Sequence, residues 1–363
     1  MWLSGLEIRD LRIIEHAYLE PGPGLNLFVG PNAAGKTSIL EAIHLLSTGR
    51  SFASTRAGRL VRSSGGPMRV FGRVRSGDVG PMHRLGLERG GTGQARMRVD
   101  GRAAERLSQL AHLLPVVAVH PESHRLVAGG PNERRQLLDQ GLFHVEPGFL
   151  SVWQRYRRAL SQRNVLLRRG SSERELEPWE KEVARSGETL DGLRKRYAQS
   201  LAQASARFWN GRLGESGRFE LVYRQGWREG ETLASALGRL RGREVEQRVK
   251  GVGPHRADLT FLLDGRDVRQ RVSRGQQKLM VYAVRLAQVE QFGDAGDGHC
   301  VLVLDDLAAE LDEDRRGVVL DLARHSGAQC FVTALDSASI RLRASASDKV
   351  FHVEQGWVHE VLY

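Results

Sequence analysis

Gly30-Pro31-Asn32-Ala33-Ala34-Gly35-Lys36-Thr37 is the stretch that says most about this chain's architecture. Leu25, Leu27, Phe28 and Val29 precede it, and Ser38 to Gly49 follow. The apolar residues before it read as a short buried strand, while Ile39, Leu40, Ile43, Leu45 and Leu46 recur at helical spacing after it. A turn of the form G-x-x-x-x-G-K-[ST] between a strand and a helix is a phosphate cradle. Its glycines let backbone N–H groups close around phosphate oxygens, and the helix N-terminus adds the positive end of its dipole. The whole run Gly30, Pro31, Asn32, Ala33, Ala34, Gly35, Lys36 and Thr37 is the expected nucleotide-binding segment. Lys36, a catalytic candidate, is expected to reach the β- and γ-phosphates of ATP, and Thr37 to offer a hydroxyl to Mg²⁺.

Such a loop needs a second metal-side carboxylate at the end of a buried strand, and Val301-Leu302-Val303-Leu304-Asp305-Asp306 supplies it. Asp305 is the expected Mg²⁺-side residue. Asp306 stands where a general base or water-positioning group would sit, with a capping carboxylate at the loop start as the other reading. Between loop and strand, Ser273-Arg274-Gly275-Gln276-Gln277-Lys278 opens a helix expected over Gly275 to Glu290. In that place it resembles the signature motif of ABC-type ATPases. The resemblance implies that Ser273, Gly275 and Gln276 contact the γ-phosphate held by an opposite protomer. Glu310-Leu311-Asp312 resembles the D-loop of the same class, which implies a place for Asp312 across the dimer interface.

The surrounding chain fits an α/β ABC-type P-loop ATPase head, with a mixed-sheet lobe and a mostly helical second lobe. Strands are expected around Leu6 and Ile8, Val70, Leu85-Leu87, Met97-Val99 and Val116-Val119, with Asp100-Gly101 as a turn. From there to about Phe208 the texture is helical, rich in Arg, Gln, Leu and Ala. Strands return at Leu259-Leu263, Val301-Leu304, Cys330-Val332, Val350-Val353 and Val358-Leu362. The expected division is 1–125 with 296–363 as lobe I, and 126–295 as lobe II carrying the signature motif. Trp153, Tyr156, Leu160, Asn164 and Leu167 fall near one helix face, without the sustained heptads of a coiled coil.

The 363 residues carry 54 Lys+Arg against 43 Asp+Glu, a formal charge of +11, which favours an anionic partner such as nucleic acid. Solvated arginines are the other reading. Arg155, Arg157, Arg158, Arg163, Arg168 and Arg169, near Trp153 and Tyr156, pose the same choice between a phosphate-contacting face and a solvated one. Cys300 and Cys330 each adjoin an apolar run, without zinc-type spacing, and read as buried thiols in a reducing compartment. No apolar run approaches the roughly 18 residues of a membrane span, so a cytoplasmic protein without membrane association is expected.

Taken together, several separated motifs resemble the RecF family. They are Thr48-Gly49-Arg50-Ser51-Phe52, Gly130-Pro131 with Arg134-Arg135 and Leu138-Asp139, Gly253-Pro254-His255-Arg256 with Asp258-Leu259, and the signature and carboxylate motifs above. The resemblance spans essentially the whole chain. It implies an ATP-dependent homodimer, slow DNA-stimulated hydrolysis, binding to single-stranded and gapped or duplex DNA, and action with RecO and RecR in loading RecA during repair, fork maintenance and SOS induction. A transporter ATPase subunit would have its signature closer to the P-loop, and an SMC or Rad50-like head would need long heptads. Two departures from the wider ABC class leave the γ-phosphate sensor unassigned: His120-Pro121-Glu122 where a Q-loop glutamine is expected, and Thr333 where transporters carry a switch histidine.

Overall fold

The computed structural model describes residues 1–53, 60–63, 65–77, 80–90, 95–214, 217–247, 251–295, 300–336 and 345–361. Strands β1 (Trp2–Leu11), β2 (Ile14–Leu19) and β3 (Leu25–Val29) lead into α1 (Lys36–Thr48). Then come β4 (Met68–Arg75), β5 (Met82–Arg89), β6 (Arg96–Val99), β7 (Arg102–Ala103), α2 (Leu107–Leu113) and β8 (Val116–Val119). The middle of the chain forms α3 (Arg125–Ala128), α4 (Pro131–Val145), α5 (Phe149–Arg169), α6 (Glu173–Phe208), β9 (Phe219–Arg224), α7 (Leu233–Gln247), β10 (Asp258–Leu263) and β11 (Arg266–Asp267). The last third forms α8 (Arg274–Ala295), β12 (Val301–Leu304), α9 (Leu307–Glu310), α10 (Glu313–His325), β13 (Gln329–Ala334), β14 (Lys349–Glu354) and β15 (Trp357–Val361). The expected strand end at Leu362 lies outside the described residues.

Two compact units result: Met1–His124 with Gly211–Gly214 and Ser273–Tyr363, and Arg125–Asn210 with Glu215–Val272. The boundary expected at 295/296 therefore needs correction, because α8 and the signature motif fall in the first unit. The cause is packing: α8 buries Leu279, Met280, Val281, Ala283, Val284 and Ala287, and it lies against β8 and the 3₁₀ turn Pro121–His124. An apolar helix does not encode which sheet will cover it.

Among the described residues the first unit holds two six-stranded sheets. One runs β15-β14-β3-β13-β12-β8, with β14, β3, β13, β12 and β8 parallel and β15 antiparallel at the edge. Every residue of β3, β8, β12 and β13 is buried, as in a parallel sheet covered on both faces; β8 and β12 are unbroken apolar runs, while β3 and β13 also bury Asn26, Gln329 and Thr333. The other is antiparallel, in order β2-β1-β4-β5-β6-β7. In β4 Met68, Val70, Gly72 and Val74 are buried and alternate with exposed or half-buried residues, the pattern of a sheet with one wet face. Helix α1 meets both sheets, and its Ile39, Leu40, Ile43, Leu45 and Leu46 join their core. The P-loop is thereby anchored at the start of a helix that cannot move without disturbing both layers.

In the second unit α5 packs on α6, and β9 pairs with β10, which pairs with β11. The buried stripe of α5 is Phe149, Val152, Tyr156, Ala159 and Arg163, not the stripe of Trp153, Tyr156, Leu160, Asn164 and Leu167 read from the sequence. Asn164 is exposed. Arg163 belongs inside because Glu180 of α6 meets it at 3.1 Å, with 1% and 7% of the two side chains exposed. It cannot serve as a surface phosphate contact. Arg134 is 2% exposed and bonds both oxygens of Asp258 at 2.7 and 3.1 Å, and Arg194 holds Asp139. These arginines are neutralised struts of the second unit.

Candidate nucleotide site

Residues 30 to 35 curl between the end of β3 and the start of α1, which Lys36 and Thr37 open. Gly30 has φ 154°, and a Cβ there would lie 2.0 Å from the carbonyl oxygen of Val353 in β14, so only glycine fits. Its N–H donates to the Leu335 carbonyl, and the Gly356 N–H donates to the Ala34 carbonyl at 2.8 Å. Ala33 takes a left-handed φ of 63°, a strained choice for a residue with a Cβ. Gly35, the N-cap of α1 with φ 115°, has no side chain of its own to take up the amides of the first turn. Lys36 Nζ donates to the carbonyls of Gly30 at 2.6 Å and Pro31 at 2.8 Å. Burial lowers its pKa, against the opposing pull of Asp306 and Asp305.

A cavity of about 310 Å³ opens over this loop. Its walls include Asn32 to Ser38, Asp305 and Asp306, together with Thr333, Arg12 and Ile13. Asp305, 4% exposed at the end of β12, accepts from Thr37 Oγ1 at 3.0 and 3.1 Å and from Thr333 Oγ1 at 2.9 Å. Burial raises its pKa, and the two hydroxyl bonds counteract the rise. Asp306 leaves the strand with a left-handed φ of 57°, and its N–H donates to Thr333 Oγ1 at 2.7 Å. The structure thus gathers Lys36, Thr37, Asp305 and Asp306, widely separated in sequence, around one cavity. A hydroxyl and a buried carboxylate form an all-oxygen donor pair, the chemistry that suits Mg²⁺.

The motif reading missed Arg12 and Ile13. They stand in the turn between β1 and β2, where Asp10 and Arg12 both have positive φ. Arg12 pairs with Glu41 of α1 at 2.5 Å, and Glu41, fully buried, also accepts from Ser51. Tight turns show in sequence through Gly, Pro, Asn, Asp or Ser, and the turn pair Arg12-Ile13 contains none of them. Thr333, noted only as a departure, sits on β13 with its hydroxyl bridging Asp305 and the Asp306 N–H.

Ser273, Gly275, Gln276 and Asp312 do not line this cavity. Ser273 and Gln276 form a reciprocal capping pair at the start of α8: the Ser273 N–H donates to Gln276 Oε1 at 3.1 Å, and the Gln276 N–H donates to Ser273 Oγ at 3.2 Å. Ser273 and Gly275 are exposed. Asp312 caps α10 by accepting from the Arg315 N–H at 2.9 Å. Lys278 meets Glu310 at 2.6 Å, tying the signature helix to the segment after the carboxylates. At the Q-loop position, His120 stacks on Phe52 with ring centroids 4.9 Å apart, and burial lowers its pKa to about 4.

The parallel core, the P-loop, the carboxylates of β12 and the helix opened by Ser273 define an ABC-type P-loop ATPase head. The RecF/RecN/SMC N terminal domain family model matches residues 2–359, and over 356 residues the chain is 40% identical to the DNA replication and repair protein RecF of Thioalkalivibrio sulfidiphilus, covering 98% of each. The chain belongs to the RecF family. The RecF of Edwardsiella ictaluri is 37% identical over the same length. The solved structure of the recombination mediator protein RecF with ATP, of the RecFOR pathway, superposes with a TM-score of 0.88 at 26% identity, over 99% of this chain and 98% of that one. An SMC head from Pyrococcus furiosus gives a TM-score of 0.59 at 16% identity, a likeness of fold alone. Among the described residues no helix is long and apolar enough to cross a membrane.

Proposed function

We propose that this chain is an ATP-operated DNA repair protein of the RecF kind, cytoplasmic, that pairs with a second copy when ATP is bound and then holds single-stranded and gapped or duplex DNA. The observation that carries the reading is the constellation of Thr37, Asp305 and Thr333 facing Lys36 across one cavity. Residues 30 to 37 would hold the phosphates. Thr37 and Asp305 would hold Mg²⁺, which when bound neutralises charge on the phosphate oxygens. In this reading Lys36 exchanges the Gly30 and Pro31 carbonyls for phosphate oxygens, and Asp306 positions the attacking water. Ser273, Gly275, Gln276 and Asp312, all outside the chain's own cavity, complete the site of the second copy. The relatives' name and the RecFOR pathway of the solved relative support partnership with RecO and RecR, and we extend that partnership to the loading of RecA. Slow hydrolysis stimulated by DNA makes such a protein a switch rather than a motor.

Sedimentation of the chain alone, with ATP and Mg²⁺, and with ATP, Mg²⁺ and gapped DNA tests the reading. The expected result is a monomer, a dimer and a dimer bound to DNA, in that order. A chain that binds ATP but neither pairs nor binds DNA would overturn it.

A further inference from the structure

We propose that the solvent face of α5 is a DNA surface that grips the phosphate backbone through Arg155, Arg157, Arg158, Arg168 and Arg169; this rests on the DNA-binding reading above. Helix α5 contains six arginines and no Asp or Glu. Arg163 is turned inward against Glu180, and the other five are exposed. Among the described residues none of those five is paired with a carboxylate. A face that merely keeps a helix in water gains from opposite charges three or four residues apart, whereas Arg155 and Arg158 put like charges at that spacing, which costs stability. Arg168 and Arg169 also suit the negative end of the helix dipole, but the three upstream arginines have no such reason. A row of unneutralised guanidiniums fits an anionic polymer.

The aromatic residues of α5 decide how that polymer is held. Tyr156 is 3% exposed and faces the core. Arg157 lies 4.8 Å over the Trp153 ring, whose Nε1 donates to Asp139 at 3.1 Å. Tyr156 is thus withheld from bases and the Trp153 ring is already stacked by Arg157, so this surface makes charge contacts with phosphates rather than stacks. Arg157 and Arg168, like Arg158 and Arg169, are eleven residues apart, about 16 Å along the helix at 1.5 Å per residue. That spans roughly five nucleotide steps at 3.4 Å along one strand. Binding here is accordingly independent of base sequence.

The test compares the unsubstituted protein with the triple variant Arg155→Gln, Arg157→Gln, Arg158→Gln and with a control of equal charge, Arg75→Gln, Arg84→Gln, Arg98→Gln, whose arginines are exposed on the antiparallel sheet of the first unit. Fluorescence anisotropy with a mixed-sequence duplex, a gapped duplex and a single strand is measured across a salt series with ATP. Circular dichroism and binding of a fluorescent ATP analogue verify that each variant is folded. The α5 variant is expected to bind at least tenfold more weakly near physiological salt, with a log–log salt slope shallower by about 0.9 per lost contact on duplex and about 0.7 on a single strand. The control variant is expected to stay within about threefold of the parent, since removing rim charges away from the contact changes only long-range attraction. A folded α5 variant with parental affinity and slope overturns this surface and leaves the face to an acidic protein partner. Equal weakening by the control overturns it in favour of net charge alone. If the unsubstituted protein binds no DNA under any nucleotide condition, the functional reading fails together with the surface.

Discussion

Asp305 is the residue on which the nucleotide site turns, because its carboxylate is buried and its nearest compensation is two hydroxyls, from Thr37 and Thr333. Thr333→Val keeps the shape but strips one bond from Asp305 and the acceptor from the Asp306 N–H. A buried donor left unmade costs about 1–3 kcal/mol. The variant should lose that much stability in urea and hydrolyse ATP at least tenfold more slowly; a parental single-turnover rate would show that Thr333 has no part in setting the carboxylates. Lys36→Ala removes the cation proposed to face the phosphates while leaving both sheets intact. A charge-assisted bond contributes about 1.5–3 kcal/mol, so affinity for a fluorescent ATP analogue should fall roughly 10- to 100-fold. Unchanged affinity in a folded variant would remove Lys36 from the site. Asp306→Asn should slow single-turnover hydrolysis far more than it weakens ATP binding, since a water-positioning group acts in the transition state. Equal losses in both would make it a binding residue.

At the scale of the element, α8 joins two tasks at one end. Ser273 and Gln276 cap it, and Ser273 is also the group expected to reach a second copy's γ-phosphate. Two substitutions separate the tasks. Ser273→Ala removes the cap and should cost about 1 kcal/mol of stability. Ser273→Arg should cost the same and also block ATP-induced pairing, because a bulky cation would stand where the phosphate must approach. Light scattering with and without ATP distinguishes them. Full pairing by the Arg variant would refute a shared site. The ion pair of Lys278 with Glu310 joins this helix to the segment before Asp312, so the two proposed interface elements are fixed to each other within one copy.

Among the described residues of the whole molecule burial lowers the pKa of four histidines: His112, and more strongly His44, His120 and His255, each of these three to about 4. In the unfolded chain a histidine titrates near 6.5. Between about 4 and 6.5 the unfolded state therefore binds more protons, so stability is complete above 6.5 and falls as pH drops through that window. The loss approaches about 1.4 kcal/mol per pH unit for each histidine. Urea midpoints should fall steadily from pH 7 to pH 5, and the double variant His44→Asn, His120→Asn should show a clearly shallower fall. An identical pH dependence in that variant would mean that these rings are not held neutral.

What the sequence determined by itself was local and periodic. The glycines, Lys36 and Thr37 spell the phosphate loop because each chemical requirement falls on neighbouring residues, and Val301 to Leu304 read as a buried strand because their apolar run is unbroken. The turn Asp100-Gly101 was equally plain, and both residues take positive φ. What meets across long separations depends on packing in three dimensions. Arg134 and Arg163 look like any surface arginine in sequence, and they are interior only because Asp258 and Glu180 arrive from 124 and 17 residues away. Helix α8 joined the first unit because β8 and the turn after it offered the apolar surface it needed. Arg12 reached the nucleotide cavity because Glu41 draws its guanidinium onto α1, and Thr333 reached Asp305 because β13 lies beside β12. A sequence states what each side chain can bond with, and the fold alone decides which partner comes within 3 Å.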